Sequence, residues 1–304
     1  MQTIGITGGT GFVGQHLTEL LKKHNYRVII FTRDMHKVSR LENVKYSFWS
    51  PPEKKFDVSY LKQLDAVIHL AGASVEQRWT PSQKEKIVRS RVLGTQFLIE
   101  RLKEHAPQCK TLIAASAIGY YGEDRKDATP FHEDTNPAND FLATTCQKWE
   151  TESQKAAALM RTVILRFGIV LGRHDGAFPQ FARPQNLGVV PIIAGGLQTI
   201  SWIHITDLCR IILWCIENEN IRGVYNAVAP HPVSNKRLMD TIAKGKGGIK
   251  IPIPVPGIFL KAGLGEVAKE VLKSCTVSAD KIQQAGFSFQ FNDIKSAVKD
   301  ILGK

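Results

Sequence analysis

Cysteine is scarce in this 304-residue chain, and its five cysteines lack the close pairs that disulfide scaffolds or zinc sites require. Long apolar runs are also missing, since no segment approaches the roughly 20 apolar residues that span a membrane. A charged fraction of 22% with 14 prolines excludes a disordered or fibrous chain. With a strand-like pattern that starts directly at Gln2, these features predict a cytoplasmic protein with reduced thiols and no membrane partner.

Acidic residues are fewer than basic ones, 28 against 40, which gives a formal net charge of +12. The cations are spread along the chain, and the richest run, residues 236–250, has no aromatic interleaving and no groove-reading module. We therefore expect no nucleic-acid partner, and a salt-dependent mobility shift would be needed to revive that alternative. The positive field favours a small-molecule, anionic substrate. The sequence does not determine the oligomeric state.

Apolar strand-like runs alternate with helical patterns in the first half of the chain. Strands are predicted at residues 3–7, 27–32, 44–48, 66–70, 111–115 and 162–167, and crossover helices at 11–23, 81–104 and 141–158. The pattern predicts an α/β fold, a Rossmann-type doubly wound parallel sheet in residues 1–170. A smaller C-terminal α/β substrate lobe is expected in residues 171–304, with strands at 199–205 and 223–228 and helices at 206–218, 235–243, 257–273 and 293–302.

A glycine-rich turn lies between the first strand and the first helix. Gly8 suits a tight turn, Gly11 lets a pyrophosphate approach the backbone, and Gly14 permits close packing of helix on strand. Exposed amides and the helix dipole would then bind the pyrophosphate. The predicted cofactor-binding residues of this turn are Gly8, Gly9, Thr10, Gly11, Phe12, Val13 and Gly14.

The second strand ends in Thr32, Arg33 and Asp34, where an NAD-selective site usually ends in a carboxylate. Here a cation comes first, and Arg33 can pair with a 2'-phosphate through its planar fork, with Lys37 one helical turn further on. The sequence therefore predicts NADP(H), with Thr32 and Arg33 as cofactor residues. Asp34 keeps NAD(H) open as an alternative.

Small residues follow the strand that ends near His69 and could lie beside the adenosine and ribose. They add Leu70, Ala71, Gly72 and Ala73 to the predicted cofactor site. His69 itself is interpreted as a strand-end histidine with satisfied hydrogen bonds rather than as a base.

With these motifs, the chain resembles the extended short-chain dehydrogenase/reductases and, more narrowly, the YfcH-type group of nucleoside-diphosphate-sugar epimerase-like proteins. The resemblance rests on the N-terminal glycines, residues 116–122 (SAIGYYG), residues 202–205 (WIHI) and a tail at about 249–298. It implies hydride transfer at a nicotinamide. It also places Arg91, Ser116, Phe167, Gly168 and Ile169 near the cofactor.

The resemblance implies a catalytic tyrosine with a lysine four residues later on one helix face. If Glu150 marks the usual acid, Leu142 and Cys146 occupy those two positions, and neither can do the chemistry. The remaining catalytic candidates are Ser116, whose register leaves Ala117 as an alternative, and Tyr120.

Arg78, Arg91 and Arg173 are candidates to meet an anionic substrate group, and a solvated surface role is the alternative for each. The sequence thus supports two functions. One is an NADP(H)-dependent oxidoreductase or epimerase-like enzyme that lacks the Tyr-x-x-x-Lys pair. The other is a non-catalytic NADP(H)-binding sensor or regulatory protein. No metal is expected.

Overall fold

A mostly parallel sheet is the centre of the computed structural model, which describes residues 1–37, 43–127 and 129–304 without the side chains of Lys37 and Lys261. The strands are β1 (Thr3–Thr7), β2 (Arg27–Thr32), β3 (Val44–Ser50), β4 (Lys55–Phe56), β5 (Ala66–His69), β6 (Thr111–Ala117), β7 (Arg161–Phe167), β8 (Ile169–Leu171), β9 (Val189–Ile193), β10 (Thr199–Ile200), β11 (Trp202–His204), β12 (Gly223–Ala227), β13 (Val233–Ser234) and β14 (Ile251–Val255). The α-helices are α1 (Phe12–Lys23), α2 (Pro81–His105), α3 (Phe141–Gln154), α4 (Phe178–Asn186), α5 (Ile205–Glu217), α6 (Asn235–Lys246), α7 (Gly257–Leu264), α8 (Val267–Leu272), α9 (Asp280–Gln284) and α10 (Ile294–Ile301).

The main sheet has the order β12-β7-β6-β5-β1-β2-β3-β4, and its neighbours are parallel except for the short β3–β4 pair. The six strands predicted in the first half are all present, and the doubly wound Rossmann-type sheet is confirmed. Strand β12, which the sequence placed beyond residue 170, forms the edge of this same sheet beside β7. The division at residue 170 stays a prediction.

Helices cover both faces of the sheet, which explains why β2, β5, β6 and β7 contain runs of consecutive apolar residues rather than alternate ones. On one face, Leu17 of α1 and Leu208 of α5 pack with Ile6 of β1. On the other, Leu98 of α2 packs with Phe31 of β2. Each strand thus contributes successive side chains to two separate cores, and the outcome is a three-layer α/β/α arrangement.

The second lobe has its own core, where α4, α6 and α10 pack around Trp202. Three two-stranded pairs accompany it: β11 with β8, β14 with β9 and β10 with β13. The tail is fastened to α5 by the buried carboxylate of Asp207, which accepts hydrogen bonds from the amides of Gln290 and Phe291 at 2.9 and 2.8 Å. These charge-assisted hydrogen bonds hold the tail against α5.

Two predicted elements of the second lobe are wrong. The helix expected at 257–273 is two helices, because Gly265 takes a φ of +62° between α7 and α8. The strand expected at 199–205 is β10 and β11, which pair with different strands on either side of Ser201. The Ser201 hydroxyl donates to the Cys275 carbonyl at 2.8 Å, and this bond fixes the break to the tail. Strands β8, β9 and β14 and helix α4 were not predicted.

Candidate functional site

The candidate site lies at the carboxyl ends of β1 and β5, which are neighbours at the centre of the sheet. From β1 the chain crosses through α1 to β2 on one side, whereas from β5 it crosses through α2 to β6 on the other side. The connections therefore diverge, and open a crevice between them. In open α/β sheets this switch point is where ligands bind.

The turn after β1 is built from glycines packed backbone against backbone. Gly8 has a φ of +74°, and its carbonyl oxygen accepts a hydrogen bond from the Gly11 amide at 3.0 Å. A Cβ on Gly14 would lie 2.5 Å from the Gly8 oxygen and 2.5 Å from Gly9 Cα. No side chain fits at Gly14, so the first turn of α1 contacts the end of β1 directly, as the glycine spacing predicted.

The N-terminus of α1 is free to hold an anion. Its N-cap, Gly11, provides no side-chain cap, and the first turn contains no acidic residue. The amides of Phe12 and Val13 belong to that first turn and have no intrahelical acceptor. The Phe12 ring lies against Gly172 and Gly176. This arrangement of backbone donors and helix dipole suits a diphosphate.

The loop after β5 lies against the glycine turn. A Cβ on Gly8 would lie 2.9 Å from the Ala71 amide nitrogen, so the two backbones are in contact. Arg91 of α2 supports this loop: its Nη1 donates to the Ala73 carbonyl at 3.0 Å, and its guanidinium would lie 3.1 Å from a Cβ on Gly72. The structure thus brings Arg91 together with the predicted cofactor residues 70–73. Burial lowers the pKa of Arg91, which is nevertheless a permanent cation.

His69 is fully buried and both ring nitrogens have partners: Nδ1 lies 2.6 Å from Thr7 Oγ1 and Nε2 lies 2.9 Å from Thr95 Oγ1. Because the Thr95 hydroxyl donates to the Arg91 carbonyl, it must accept from Nε2–H, which assigns the tautomer. Burial lowers the pKa of His69 to about 4. The structure therefore agrees with a satisfied structural histidine that joins β5 to α2.

The end of β2 presents an exposed Arg33. Asp34 follows it, but its Oδ1 accepts from the His36 amide at 3.0 Å, and its own amide donates to Thr32 Oγ1 at 3.1 Å. The carboxylate thus has a role in the local turn. The side chain of Lys37, the second predicted phosphate ligand, lies outside the described part of the structure.

A buried polar network occupies the ends of β6 and β7. Ser116 Oγ donates to Glu150 at 2.6 Å, and Glu150 pairs with both Nε and Nη2 of Arg166 at 2.8 Å. Arg166 also donates to the Tyr121 hydroxyl at 2.8 Å, which donates to Asn226 Oδ1 at 2.6 Å. Each charge is paired, as buried charges must be, and the ion pair raises the pKa of Arg166.

Tyr120 lies directly on this network. The Arg166 guanidinium is 3.5 Å from the centre of the Tyr120 ring, and Tyr121 packs edge-on against the same ring at 5.5 Å. Tyr120 is half-buried, whereas Tyr121 is fully buried with its hydroxyl committed to Arg166 and Asn226. Of these two neighbouring phenols, only Tyr120 reaches the surface of the site.

Leu142 and Cys146, the two positions where the resemblance places a tyrosine and a lysine, lie on α3. Leu142 contacts Gly119, where an added Cβ would lie 3.3 Å from the leucine Cβ. Burial, together with the Glu150 carboxylate, raises the pKa of Cys146 to about 11. The thiol is therefore protonated at neutral pH. Lys148 is exposed and lies on another face of α3.

Phe167, Gly168 and Ile169 lie where the chain leaves the main sheet. Gly168 donates to the Ala227 carbonyl at 3.1 Å and passes so close to Ser201 that a Cβ would lie 2.8 Å from its carbonyl oxygen. Ile169 then begins β8 and is 39% exposed. These residues border the second lobe. The resemblance places them near the nicotinamide end of the cofactor.

The three candidate substrate arginines differ in their surroundings. Arg173 donates from Nε to the Ile301 carbonyl at 2.8 Å and is tied to the last helix. Arg78 is exposed and lies beside Gly265, between α7 and α8. Arg91 is engaged with the loop after β5. The structure does not bring the three together.

Arg166 was not predicted as a site residue. A charged residue within an otherwise apolar strand was the available signal, since such a charge must find a buried partner. Nor were two contacts predicted that join the tail to α2 and to the N-terminus of α3. These are the ion pairs of Lys84 with Glu266 and of Lys273 with Asp140.

Within the described ranges, no group of three or more His, Cys, Asp or Glu side chains is arranged to hold a metal ion. Nor does any described helix combine the length and the apolar character needed to cross a membrane. All five cysteines are free and buried.

The parallel sheet, its switch point and the glycine turn together define a dinucleotide-binding protein of the Rossmann class. Residues 4–227 match the NAD dependent epimerase/dehydratase family, and residues 255–301 match a domain of unknown function, DUF1731. The chain therefore belongs to the NAD dependent epimerase/dehydratase family. Its C-terminal match agrees with the family-specific tail that the sequence predicted.

Curated relatives match along nearly the full length. The epimerase family protein YfhF of Bacillus subtilis (strain 168) is 35% identical over 305 residues, which cover 98% of this chain and 97% of that protein. The epimerase family protein SAR0825 of Staphylococcus aureus (strain MRSA252) is 35% identical over 302 residues, with 98% of each chain covered.

Solved structures extend the comparison. The human epimerase family protein SDR39U1 (isoform 2), determined with NADPH, superposes with a TM-score of 0.87 at 27% identity, covering 99% of both chains. A nucleoside-diphosphate sugar epimerase from Corynebacterium glutamicum is 32% identical with a TM-score of 0.78, covering 99% of this chain and 58% of that one. A UDP-glucose 4-epimerase from Thermus thermophilus, at 17% identity and a TM-score of 0.78, covers 99% of both chains and shares the fold.

Proposed function

We propose that this protein is an NADP(H)-dependent oxidoreductase or epimerase-like enzyme that works without the usual Tyr-x-x-x-Lys pair. The observation that carries the proposal is the uncapped N-terminus of α1, which lies against the backbone of the loop after β5. Residues 8–14 would hold the diphosphate and residues 70–73 the adenosine side. The NADPH in the related human structure supports this choice of cofactor.

Arg33 would select the phosphorylated cofactor. It is exposed at the carboxyl end of β2, and its guanidinium can pair with a 2'-phosphate in a bidentate manner. The surroundings of Asp34 favour NADP(H) over NAD(H), because Asp34 Oδ1 already accepts a hydrogen bond from the His36 amide. NAD(H) remains the alternative that the binding experiment decides.

A bound nicotinamide would supply or accept a hydride, so the chain must provide a proton donor for the substrate oxygen. Leu142 has no proton to exchange, and the Cys146 thiol is buried with a pKa of about 11. The Ser116 hydroxyl donates to Glu150, which leaves its lone pairs to orient a substrate group. Tyr120 is the half-buried phenol beside them and is our candidate donor.

The cofactor proposal is tested by fluorescence titration with NADPH and with NADH. We expect NADPH to bind more tightly, and Arg33→Glu to weaken NADPH at least tenfold while changing NADH little. Arg27→Glu, at the opposite end of the same strand, is the matched control and should leave both affinities unchanged. Equal binding of the two cofactors by the parent protein would overturn the assignment of Arg33, and no binding of either would overturn the whole proposal.

The chemical proposal is tested by following nicotinamide absorbance with a panel of carbonyl compounds and anionic sugar derivatives. Tyr120→Phe should lower kcat at least a hundredfold without changing NADPH affinity. The substrate would lie between the nucleotide-binding sheet and the residues after Gly172. Turnover that is unaffected by Tyr120→Phe would remove this residue from the mechanism.

A non-catalytic NADP(H)-binding sensor is the second candidate. Leu142 and Cys146 favour it, because they leave the usual catalytic face of α3 without a titratable donor at neutral pH. It predicts NADPH binding without turnover, together with NADPH-dependent affinity for a cellular partner. Efficient turnover of any substrate in the panel would eliminate it.

We also propose that the protein works in a reducing, cytoplasmic compartment. Its five cysteines are buried and free, and burial raises the pKa of Cys209 and of Cys215 to about 12. Such thiols are inert packing residues. A small molecule remains the expected partner, and nucleic acid is not expected.

A further inference from the structure

An exposed apolar surface lies on the second lobe, along β14 and the segments beside it. We name it the β14 surface, and it is formed by six large apolar side chains that are between 60% and 87% exposed: Leu187, Leu197, Ile249, Ile251, Ile258 and Phe259. Among the other described large apolar side chains, Met1 apart, exposure does not exceed 45%. Apolar side chains gathered in this way mark a binding surface.

The members of the β14 surface are connected through the backbone of the lobe. The Ile251 amide donates to the Gly188 carbonyl at 2.8 Å, which sets Leu187 beside the start of β14. At the other end of the strand, Leu197 and Ile258 line the same cavity of about 580 Å³. The surface therefore runs along the whole strand and continues onto α7.

Another β-strand is a poor occupant for this surface. β9 pairs with one edge of β14, and the Ile251 amide points towards it. Amides alternate along a strand, so the N–H groups of positions 252 and 254 would face the open edge. Both are prolines, which have no N–H to donate. Strand addition at this edge is therefore blocked.

The two chain segments that carry the β14 surface contain charges of one sign. Residues 176–206 and 241–265 contain five Lys and Arg but no Asp or Glu. Lys246 and Lys250 of these segments donate to the carbonyls of Ala182 and Gln185 at 2.9 and 2.7 Å. A second copy of the chain, packed face to face, would bring these cations together, and that disfavours self-association.

We propose that the β14 surface docks the protein on an anionic lipid bilayer. The apolar side chains would enter the headgroup region while the lysines meet lipid phosphates and carboxylates, the mode of binding of peripheral proteins. No membrane partner was expected because the sequence lacks a membrane-spanning segment. Contact between a protein surface and a bilayer does not require such a segment. This proposal is independent of any catalytic activity.

The test is sedimentation of the full-length protein with vesicles of phosphatidylcholine containing about 30% phosphatidylserine, and with vesicles of phosphatidylcholine alone. We expect binding to the anionic vesicles that weakens at high salt. The double variant Ile258→Ser/Phe259→Ser should reduce it at least tenfold, and Lys250→Gln, between Ile249 and Ile251 of the surface, about fivefold. Leu159→Ser, which changes a 44% exposed leucine of the other lobe, is the matched control. Urea unfolding verifies that each variant is folded.

Binding that is lost with the surface variants and kept with Leu159→Ser supports the proposal. Absence of binding to anionic vesicles overturns it, as does equal binding to both vesicle types or binding that the double variant leaves unchanged. A concentration-dependent dimer in analytical ultracentrifugation that Ile258→Ser/Phe259→Ser abolishes would assign the surface to a second copy and also overturn it.

Discussion

Replacing Gly14 by alanine should destabilise the protein, although alanine is the better helix former. Gly14 is the third residue of α1, and an added methyl would lie 2.5 Å from both the Gly8 carbonyl oxygen and Gly9 Cα. Both neighbours are backbone atoms of the glycine turn, and they cannot move aside as the end of a flexible side chain could. The turn itself must shift.

Two opposing effects set the magnitude. Alanine gains about 1 kcal/mol over glycine within a helix, whereas overpacking costs about 1–3 kcal/mol, and more where the surroundings are rigid. With rigid backbone on two sides we place the cost at the upper end, which leaves a net loss of about 2 kcal/mol. Gly94, buried in α2, has no atom within 4 Å of an added Cβ. Gly94→Ala should therefore stabilise the protein by about 0.5–1 kcal/mol.

Urea unfolding of the parent, Gly14→Ala and Gly94→Ala measures this difference, and an NADPH titration of the same samples measures the effect on the proposed cofactor site. We expect the free energies of unfolding of the two alanine variants to differ by about 3 kcal/mol. We also expect Gly14→Ala to lower the NADPH affinity at least tenfold. If Gly14→Ala equals or exceeds the parent in stability, the packing argument for the glycine turn is refuted.

Three further predictions concern the buried polar groups. His69 has a pKa of about 4 in the folded protein and 6.5 in the unfolded chain, so the unfolded chain takes up the proton first as the pH falls. The stability that His69 contributes above pH 6.5 is therefore lost progressively between pH 6.5 and 4. Between about pH 7.5 and 5 the parent should lose about 2 kcal/mol more than His69→Asn in urea unfolding, and equal slopes would contradict this. Glu150→Gln should cost about 3–5 kcal/mol because it leaves Arg166 unpaired in the interior, and a loss below about 1 kcal/mol would contradict the buried pair. Tyr121→Phe should cost about 1–3 kcal/mol by leaving Asn226 Oδ1 without its donor, measured in the same assay, and no change would show that water replaces the hydroxyl.

Local patterns predicted the Rossmann half well. The glycines at 8, 11 and 14 carry their own backbone requirement, and most strands of the sheet contain runs of consecutive apolar residues, so a short segment suffices to identify them. The same reasoning failed at residues 257–273 and 199–205. There Gly265 and Ser201 interrupt periodic patterns. Gly265 takes a left-handed φ, and Ser201 is bonded to Cys275 of the tail.

Some features of the candidate site can likewise be identified from the sequence, and others cannot. The turn at Gly8 and the pair of positions Leu142 and Cys146, four residues apart, were identified from the sequence, because spacing alone relates the residues. The network of Ser116, Glu150 and Arg166 is not, because 34 positions separate Ser116 from Glu150 and no periodicity links them.

The sequence by itself determined the nucleotide-binding half, since glycine spacing and apolar runs act within a few residues of one another. Only the tertiary structure decided that Arg91 supports the loop after β5 and that β12 completes the main sheet. It also decided that the apolar residues along β14 face solvent. The physical reason is that burial and pairing depend on which distant segments meet, and a linear pattern records only neighbours along the chain.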